Sequence, residues 1–294
     1  MSLAQNEQDL SSASSHPHYI KTVFIIVMEN HNWTGGRSSQ ALKGNTFAPY
    51  INWDLIPMAS HASNYWNPPH NHPSLPNYLW LEAGTNFGFH ADRSAYRYSQ
   101  STHEHLAALL DKRGISWRAY DESTNGTTCP LANWHNPFVF FRDETNNNDP
   151  HDRRCIDHVR PMKELARDLA DHKTARYNFI VANNCHNMHN PCYGANQIHD
   201  GDEWLRTHVP AILHSTAYRS GGALFILWDE ALSGDGPIPL IVLSPFAKGN
   251  GYSNHLHYTH GSTLRTLQEI FGVGPLIRDA ARERDLRDLF TVFP

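Results

Sequence analysis

Four apolar runs constrain this chain more than anything else in its sequence. IKTVFIIVM (20–28), YNFIVANN (177–184), GGALFILWDE (221–230) and IPLIVLSPF (238–246) are short and rich in β-branched or aromatic residues, without polar alternation. A strand with one wet face alternates, so a continuous apolar run reads as a strand covered on both faces. Helical patterns fall between these runs, at LPNYLWLEAG (75–84), 101–113, 157–172, 202–218 and 259–273. The one at 101–113 carries a Ser/Thr cap and stops at Gly114, after which ISWRAY (115–120) is a further strand. Residues 53–83 mix Pro, Asn and His with short apolar pieces, and 121–155 is rich in turn formers and expected as loop. Strand alternating with helix predicts an α/β fold, a doubly wound, mainly parallel central sheet with helices on both faces.

With 40% hydrophobic and 18% charged residues, a chain of 294 can bury a large core. The net charge of −5 lacks the basic excess of a nucleic-acid binder, so no nucleic-acid partner is expected. No apolar run reaches 18 residues, so no transmembrane segment is expected. Residues 1–18 are polar, lack the apolar stretch of a signal peptide and read as a disordered leader before one domain at 19–294. The four cysteines form no CxxC pair. Their even count and loop setting predict Cys129–Cys155 and Cys185–Cys192 disulfides, hence a secreted or periplasmic location, with any signal sequence removed or absent here.

Polar residues collect where the strands end. The first run delivers Glu29 and Asn30, the run at 223–228 delivers Asp229 and Glu230, and the one at 177–184 leads to His186, Asn187 and His189. Ligands of open α/β sheets bind at the carboxyl ends of strands, so these segments are expected on one rim. Oxygen donors of this kind suit a hard divalent cation, and histidine would admit zinc or iron. Ser74, in HNHPSLPNYLW, stands before a predicted helix, where a serine is either an N-cap or a hydroxyl facing a phosphoryl group.

At these residues the sequence resembles a bacterial phosphoesterase family that contains phosphocholine-preferring phospholipases C and acid phosphatases, within the alkaline-phosphatase-like superfamily. The similar pieces are VFIIVMENHNWTG, HPSLPNYLWLEAGTNFG, NPFVFFRD, NFIVANNCHNMHN, GDEWLRTHVPAIL, ALFILWDE, GPIPLIVLSPFAKG and HYTHGSTLRTLQEIFGV, in family order from about residue 22 to 274. The resemblance implies an alkaline-phosphatase-like fold and a phosphoesterase domain at 19–294. It assigns Glu29, Asn30, Asp229 and Glu230 to a divalent metal ion, which Ca, Mg, Mn, Zn or Fe would satisfy. Ser74 matches the nucleophile, His189 a histidine near the substrate phosphate, and His260 a further active-site histidine.

Two departures stand out. Where relatives place acids, the loop Asn184-Cys185-His186-Asn187-Met188-His189-Asn190 carries His186, Asn187 and Asn190, and the segment after Glu230 lacks a histidine found in many members. His186 is read as a loop substitution rather than a ligand. The expected chemistry is hydrolysis of a phosphomonoester through a phosphoseryl intermediate, with His189 or His260 protonating the leaving group or steadying the phosphate. Expected partners are small phosphoesters or a phospholipid headgroup. The alternatives are a phosphodiesterase of phospholipase C type and a non-catalytic phosphate- or metal-binding relative.

Overall fold

A computed structural model describes residues 19–36, 38–192 and 196–294. The polar stretch 1–18, expected as a leader, lies outside the described residues. Nine strands occur in chain order: β1 (Thr22–Met28), β2 (Ser60–Trp66), β3 (Trp117–Asp121), β4 (Val159–Pro161), β5 (Tyr177–Val181), β6 (Gly222–Trp228), β7 (Ile238–Leu243), β8 (Tyr252–Asn254) and β9 (Tyr258–Thr259). They form one sheet in the order β4-β3-β5-β1-β6-β7-β2-β8, with β9 also paired to β2. Every pairing is parallel except those of β7, which runs against both β6 and β2. The mixed α/β architecture with helices flanking a mainly parallel sheet is therefore the one expected.

The central strands β5, β6 and β7 are buried along their whole length, and β1 along all but its first residue. That is why their sequences show no alternation. Helices Ser74–Ala83, Leu106–Lys112 and His260–Phe271 pack as one group, and Lys163–Ala170, Gln197–His214 and Thr216–Arg219 as another. Local chemistry sets several boundaries. Thr259 and Ser262 form a reciprocal capping box at the start of His260–Phe271. Helix Ser74–Ala83 ends at Gly84, whose φ of +66° is left-handed. A side chain there would also press on the Asp279 backbone.

Three expectations need correction. The helix predicted over 157–172 is split into Arg153–His158, β4 and Lys163–Ala170. Pro161 supplies no N–H and biases Arg160 toward extended backbone, so the helix cannot run through. The helix predicted from 101 begins only at Leu106. No Ser/Thr cap forms there: the carboxylate of Glu82 accepts the Ala107 N–H at 2.7 Å instead. Strand β2 lies in a stretch where no strand was expected, because SHASNYW carries His61, Ser63 and Asn64 and shows no strand periodicity.

Both predicted disulfides form, Cys129–Cys155 and Cys185–Cys192. The second closes the loop that carries His189. Gly201, in the long helix, packs against that loop so closely that a Cβ would overlap the Met188 side chain. Among the described residues, no helix is long and apolar enough to cross a membrane.

Candidate active site

The rim follows from strand register. In the parallel pair β1–β6, Met28 lies opposite Trp228, so the next residues, Glu29 and Asp229, leave the sheet side by side. Because β7 reverses direction, β2 runs parallel to β6, and the chain after β2 reaches the same rim with His72 and Ser74. Asn30 turns the chain at a φ of 34°, a left-handed conformation that asparagine tolerates. Its backbone N–H donates to Asp229 Oδ1 at 3.2 Å and its side-chain amide to Glu230 Oε1 at 3.1 Å. These bonds tie the two strand ends together.

Ser74 is the first residue of its helix rather than its cap. The N-cap position belongs to Pro73, which has no capping side chain. The Ser74 hydroxyl donates instead to Glu29 Oε2 at 2.7 Å, and Tyr78, one turn later, donates to Glu29 Oε1 at 2.6 Å. Both are buried, as is Glu29. The other acid of the second pair, Glu230, hydrogen-bonds His72 Nδ1 and accepts from Asn77 at 3.4 Å. His72 reaches Asp235 with its other nitrogen at 3.0 Å.

Three carboxylates thus crowd one buried place. Burial pushes the Glu29 carboxyl up to about 8, against hydrogen bonds from Tyr78 and Ser74 that pull it down. Burial and then the charges of Glu29 and Glu230 push Asp229 well above the ordinary aspartate range. Burial also raises Glu230, opposed by His72. His72, hydrogen-bonded to Glu230, is itself held up to about 9. Among the described residues, Asn30 Oδ1 and Asp229 Oδ2 are buried with no hydrogen-bond partner, and so is His135 Nε2, which lies 3.3 Å from Glu29 Oε1. Buried polar atoms are rarely left so, and each one calls for an explanation.

The two expected histidines differ in setting. His189 is exposed at the rim, with Nδ1 2.9 Å from Asn190 Oδ1. His260 is fully buried beneath the rim. Its Nε2 bonds the Asp229 carbonyl and its Nδ1 the Tyr65 hydroxyl at 2.7 Å. Burial lowers its pKa to about 4, so the ring is neutral, donating from Nε2 and accepting at Nδ1. In the altered loop, His186 pairs with Glu122 at 2.8 Å. Asn187 stays attached to the site through its backbone, its carbonyl accepting the Glu29 N–H at 2.7 Å.

Sequence reasoning passed over His135, Tyr78 and Asp235, and it noted His72 and Asn77 without giving them a role. Tyr78 and Asn77 had a usable signal, since four and three residues after Ser74 they share its helix face. His135 and Asp235 sit in loops, where nothing local distinguishes them.

A second group of metal-capable donors, His105, Asp143 and Glu144, has its ligand atoms within 4.8 Å of one another. Its donors are already engaged. His105 bridges Glu82 at 3.2 Å and Asp143 at 3.1 Å, and Arg154 forks onto Glu144. Burial opposes charge on His105, but its bonds to Asp143 and Glu82 outweigh it and hold the pKa up to about 9. A raised folded-state pKa stabilises fully below the unfolded value near 6.5 and is lost as pH rises through about 9. His105→Leu is therefore expected to cost about 3 kcal/mol near pH 6, and clearly less above about pH 9.5, in urea unfolding. An equal loss at both pH values would remove the ion-pair account.

A model of the phosphoesterase family matches residues 60–274, which include Ser74, Asp229 and Glu230. The chain is 26% identical over 269 residues to the phosphatidylinositol-3-phosphatase of Mycobacterium tuberculosis, covering 89% of this chain and 80% of that protein. It is 24% identical over 223 residues to a probable acid phosphatase of Kluyveromyces lactis, covering 71% of this chain. It spans only about half of that yeast protein, 47% of its length. Among solved structures, a protein of the alkaline phosphatase superfamily from Vibrio parahaemolyticus superposes with a TM-score of 0.60 at 14% identity, over 92% of this chain and 72% of that one. At that identity the likeness speaks for the fold alone. The fold is that of the alkaline phosphatase superfamily, and by the match over residues 60–274 the chain belongs to the phosphoesterase family.

Proposed function

We propose that this chain is a metal-dependent phosphomonoester hydrolase in which Ser74 is the nucleophile. The observation that carries this is the Ser74 hydroxyl, buried and hydrogen-bonded at 2.7 Å to Glu29 inside a cluster of three carboxylates. Serine and carboxylates come from chain segments 45 and more residues apart, so helix capping does not explain their meeting. The relatives above are both named phosphatases.

A divalent cation fits the residues present. Asn30 Oδ1 and Asp229 Oδ2 are buried oxygens without partners, and Glu29 and Glu230 add two more carboxylates beside them. Oxygen donors suit Ca, Mg or Mn, and His72 or His135 joining the set would suit Zn or Fe. When bound, such a cation offsets the charge of a phosphoryl group and lowers the pKa of a neighbouring hydroxyl.

The chain's own residues supply the rest. Glu29, itself held by Tyr78, fixes Ser74 in position and takes its proton as the serine oxygen attacks phosphorus in line and the substrate alcohol departs. The phosphoserine ester is then cleaved by water, which regenerates the hydroxyl. His189, open to solvent at the rim, is placed to steady the phosphate or to give the departing alcohol its proton. His260 has both nitrogens occupied and acts as a positioning residue, holding the Asp229 main chain from below. The disulfides support a secreted or periplasmic location.

The test is a parallel assay of p-nitrophenyl phosphate and p-nitrophenylphosphorylcholine after chelation, with divalent cations added back. Monoester turnover that chelation abolishes and a cation restores, exceeding diester turnover about tenfold, is the expected result. Faster diester turnover would move the activity to the phospholipase C type. Phosphate binding without turnover of either substrate would leave a binding protein.

A further inference from the structure

Beside the carboxylate cluster the surface opens into a cavity of about 630 Å³. His135 borders both: it lines the cavity and lies 3.3 Å from Glu29, the acceptor of the Ser74 hydrogen bond. The cavity thus begins at a side chain that touches the acid accepting from Ser74. We propose that the cavity is the leaving-group subsite and that it takes a neutral, polyhydroxylated alcohol, so that the substrate class is sugar or polyol phosphates. This rests on the hydrolase reading above and adds the substrate to it.

The chemistry of the lining carries the inference. Among the described residues, no Asp, Glu, Lys or Arg lines the cavity. His135 is the one histidine among the described lining residues. A choline-type cation would want a carboxylate or several aromatic faces, and the cavity has one indole and no acid. A second phosphate would want Arg or Lys, and neither is present. A lipid tail would want continuous apolar wall, whereas Ser123, Thr124, Asn125 and Asn184 line this one.

Hydroxyl and amide groups both donate and accept, which is what a ring of hydroxyls demands. Several are free to do so. Asn125 spends its oxygen on Thr127 at 2.9 and 2.6 Å, and its amide nitrogen has no protein partner among the described residues. Thr124 accepts the Gly126 N–H at 3.2 Å and keeps its O–H to give. Asn133 is committed at both ends, to the His135 N–H at 3.0 Å and to Asp121 at 2.7 Å, so it fixes the wall on which Trp134 stands. Trp134 is 36% exposed, a large apolar face left open next to Pro130 and Ala132 and alongside the polar side chains. Such a face suits the C–H side of a sugar ring, whose edge then meets the amides and hydroxyls.

The experiment compares glucose 6-phosphate with ethyl phosphate, choline phosphate and adenosine 5′-monophosphate, on the wild type and on Trp134→Ala. For the wild type, kcat/KM for glucose 6-phosphate is expected to exceed that for ethyl and choline phosphate about tenfold. Trp134→Ala is expected to lose roughly ten times more activity on glucose 6-phosphate than on ethyl phosphate, mainly through KM. Equal turnover of ethyl and glucose phosphates, a preference for the nucleotide, or an equal loss on all four substrates overturns the assignment. Calorimetric binding of the same four compounds to Ser74→Ala separates this from the hydrolase reading. Tighter binding of glucose 6-phosphate without wild-type turnover keeps the subsite and removes the hydrolase. Equal binding of all four removes the subsite, whatever the turnover.

Discussion

Ser74→Ala is expected to lose turnover by three or more orders of magnitude while remaining folded. Among the described residues Glu29 has one other hydroxyl donor, Tyr78, and its phenol is raised well above the ordinary range, first by burial, so it supplies no substitute nucleophile. Removing the attacking oxygen removes the covalent route altogether, and losses of that size are typical when a nucleophile is deleted. The stability cost is separate and small. The serine caps nothing, so what is lost is one hydrogen bond to a buried carboxylate, about 1–3 kcal/mol. Ser74→Thr is a harder test, because the added methyl must fit where Ser74 is only 3% exposed. It should keep measurable activity where alanine keeps almost none. Phosphopeptide mass spectrometry after an acid quench reads the intermediate directly, and phosphate on Ser74 should vanish in the alanine variant. Near-normal turnover in Ser74→Ala would discard the nucleophile and leave the family and fold untouched.

How much of this was legible in the sequence depends on where each interaction comes from. The acid pairs after β1 and β6 could be read because both strands are buried on two faces, so an apolar run ending abruptly in Glu-Asn or Asp-Glu marks a rim. Strand β2 could not. Its pairing with β7 joins Ser60 to Val242 and Tyr65 to Ile238, and its own residues alternate poorly. Missing β2 hid how the chain after it, with His72 and Ser74, reaches the sheet's carboxyl edge. His260 shows another limit. The motif puts it close to Asp229, but sequence does not say that it lies under the rim with both ring nitrogens bonded. The loop 184–190 shows the reverse. It lacks the acids of its relatives, but its backbone carbonyl at Asn187 braces Glu29, and a backbone contact survives a change of side chain.

Asp229→Ala is expected to abolish bound divalent metal together with turnover, and Glu29→Ala to do the same. Asp229 sits between the other two acids, fully buried, with Oδ1 accepting the Asn30 N–H and Oδ2 unpartnered. Losing a charged oxygen donor from a hard-cation site is poorly tolerated. The pH dependence of the chelated wild type supplies an independent check. Glu29 rises from 4.5 to about 8 on folding, so between those values the native state holds a proton that the unfolded state has released. Stability must then fall as pH rises from about 4.5 to 8, since the unfolded state binds fewer protons there. A bound cation replaces the proton as the neutralising charge and should flatten that slope. Asp229→Ala should flatten it too, without metal, because it removes the Asp229 carboxyl, which burial holds well above the ordinary aspartate range and which therefore contributes to the same slope. Melting temperatures at pH 5 and pH 8, with and without chelator, separate these cases. Full metal content and near-normal turnover in either variant would remove the acidic rim as the metal site. A chelated wild type that is as stable at pH 8 as at pH 5 would mean that the three carboxylates are neutralised by something other than a cation.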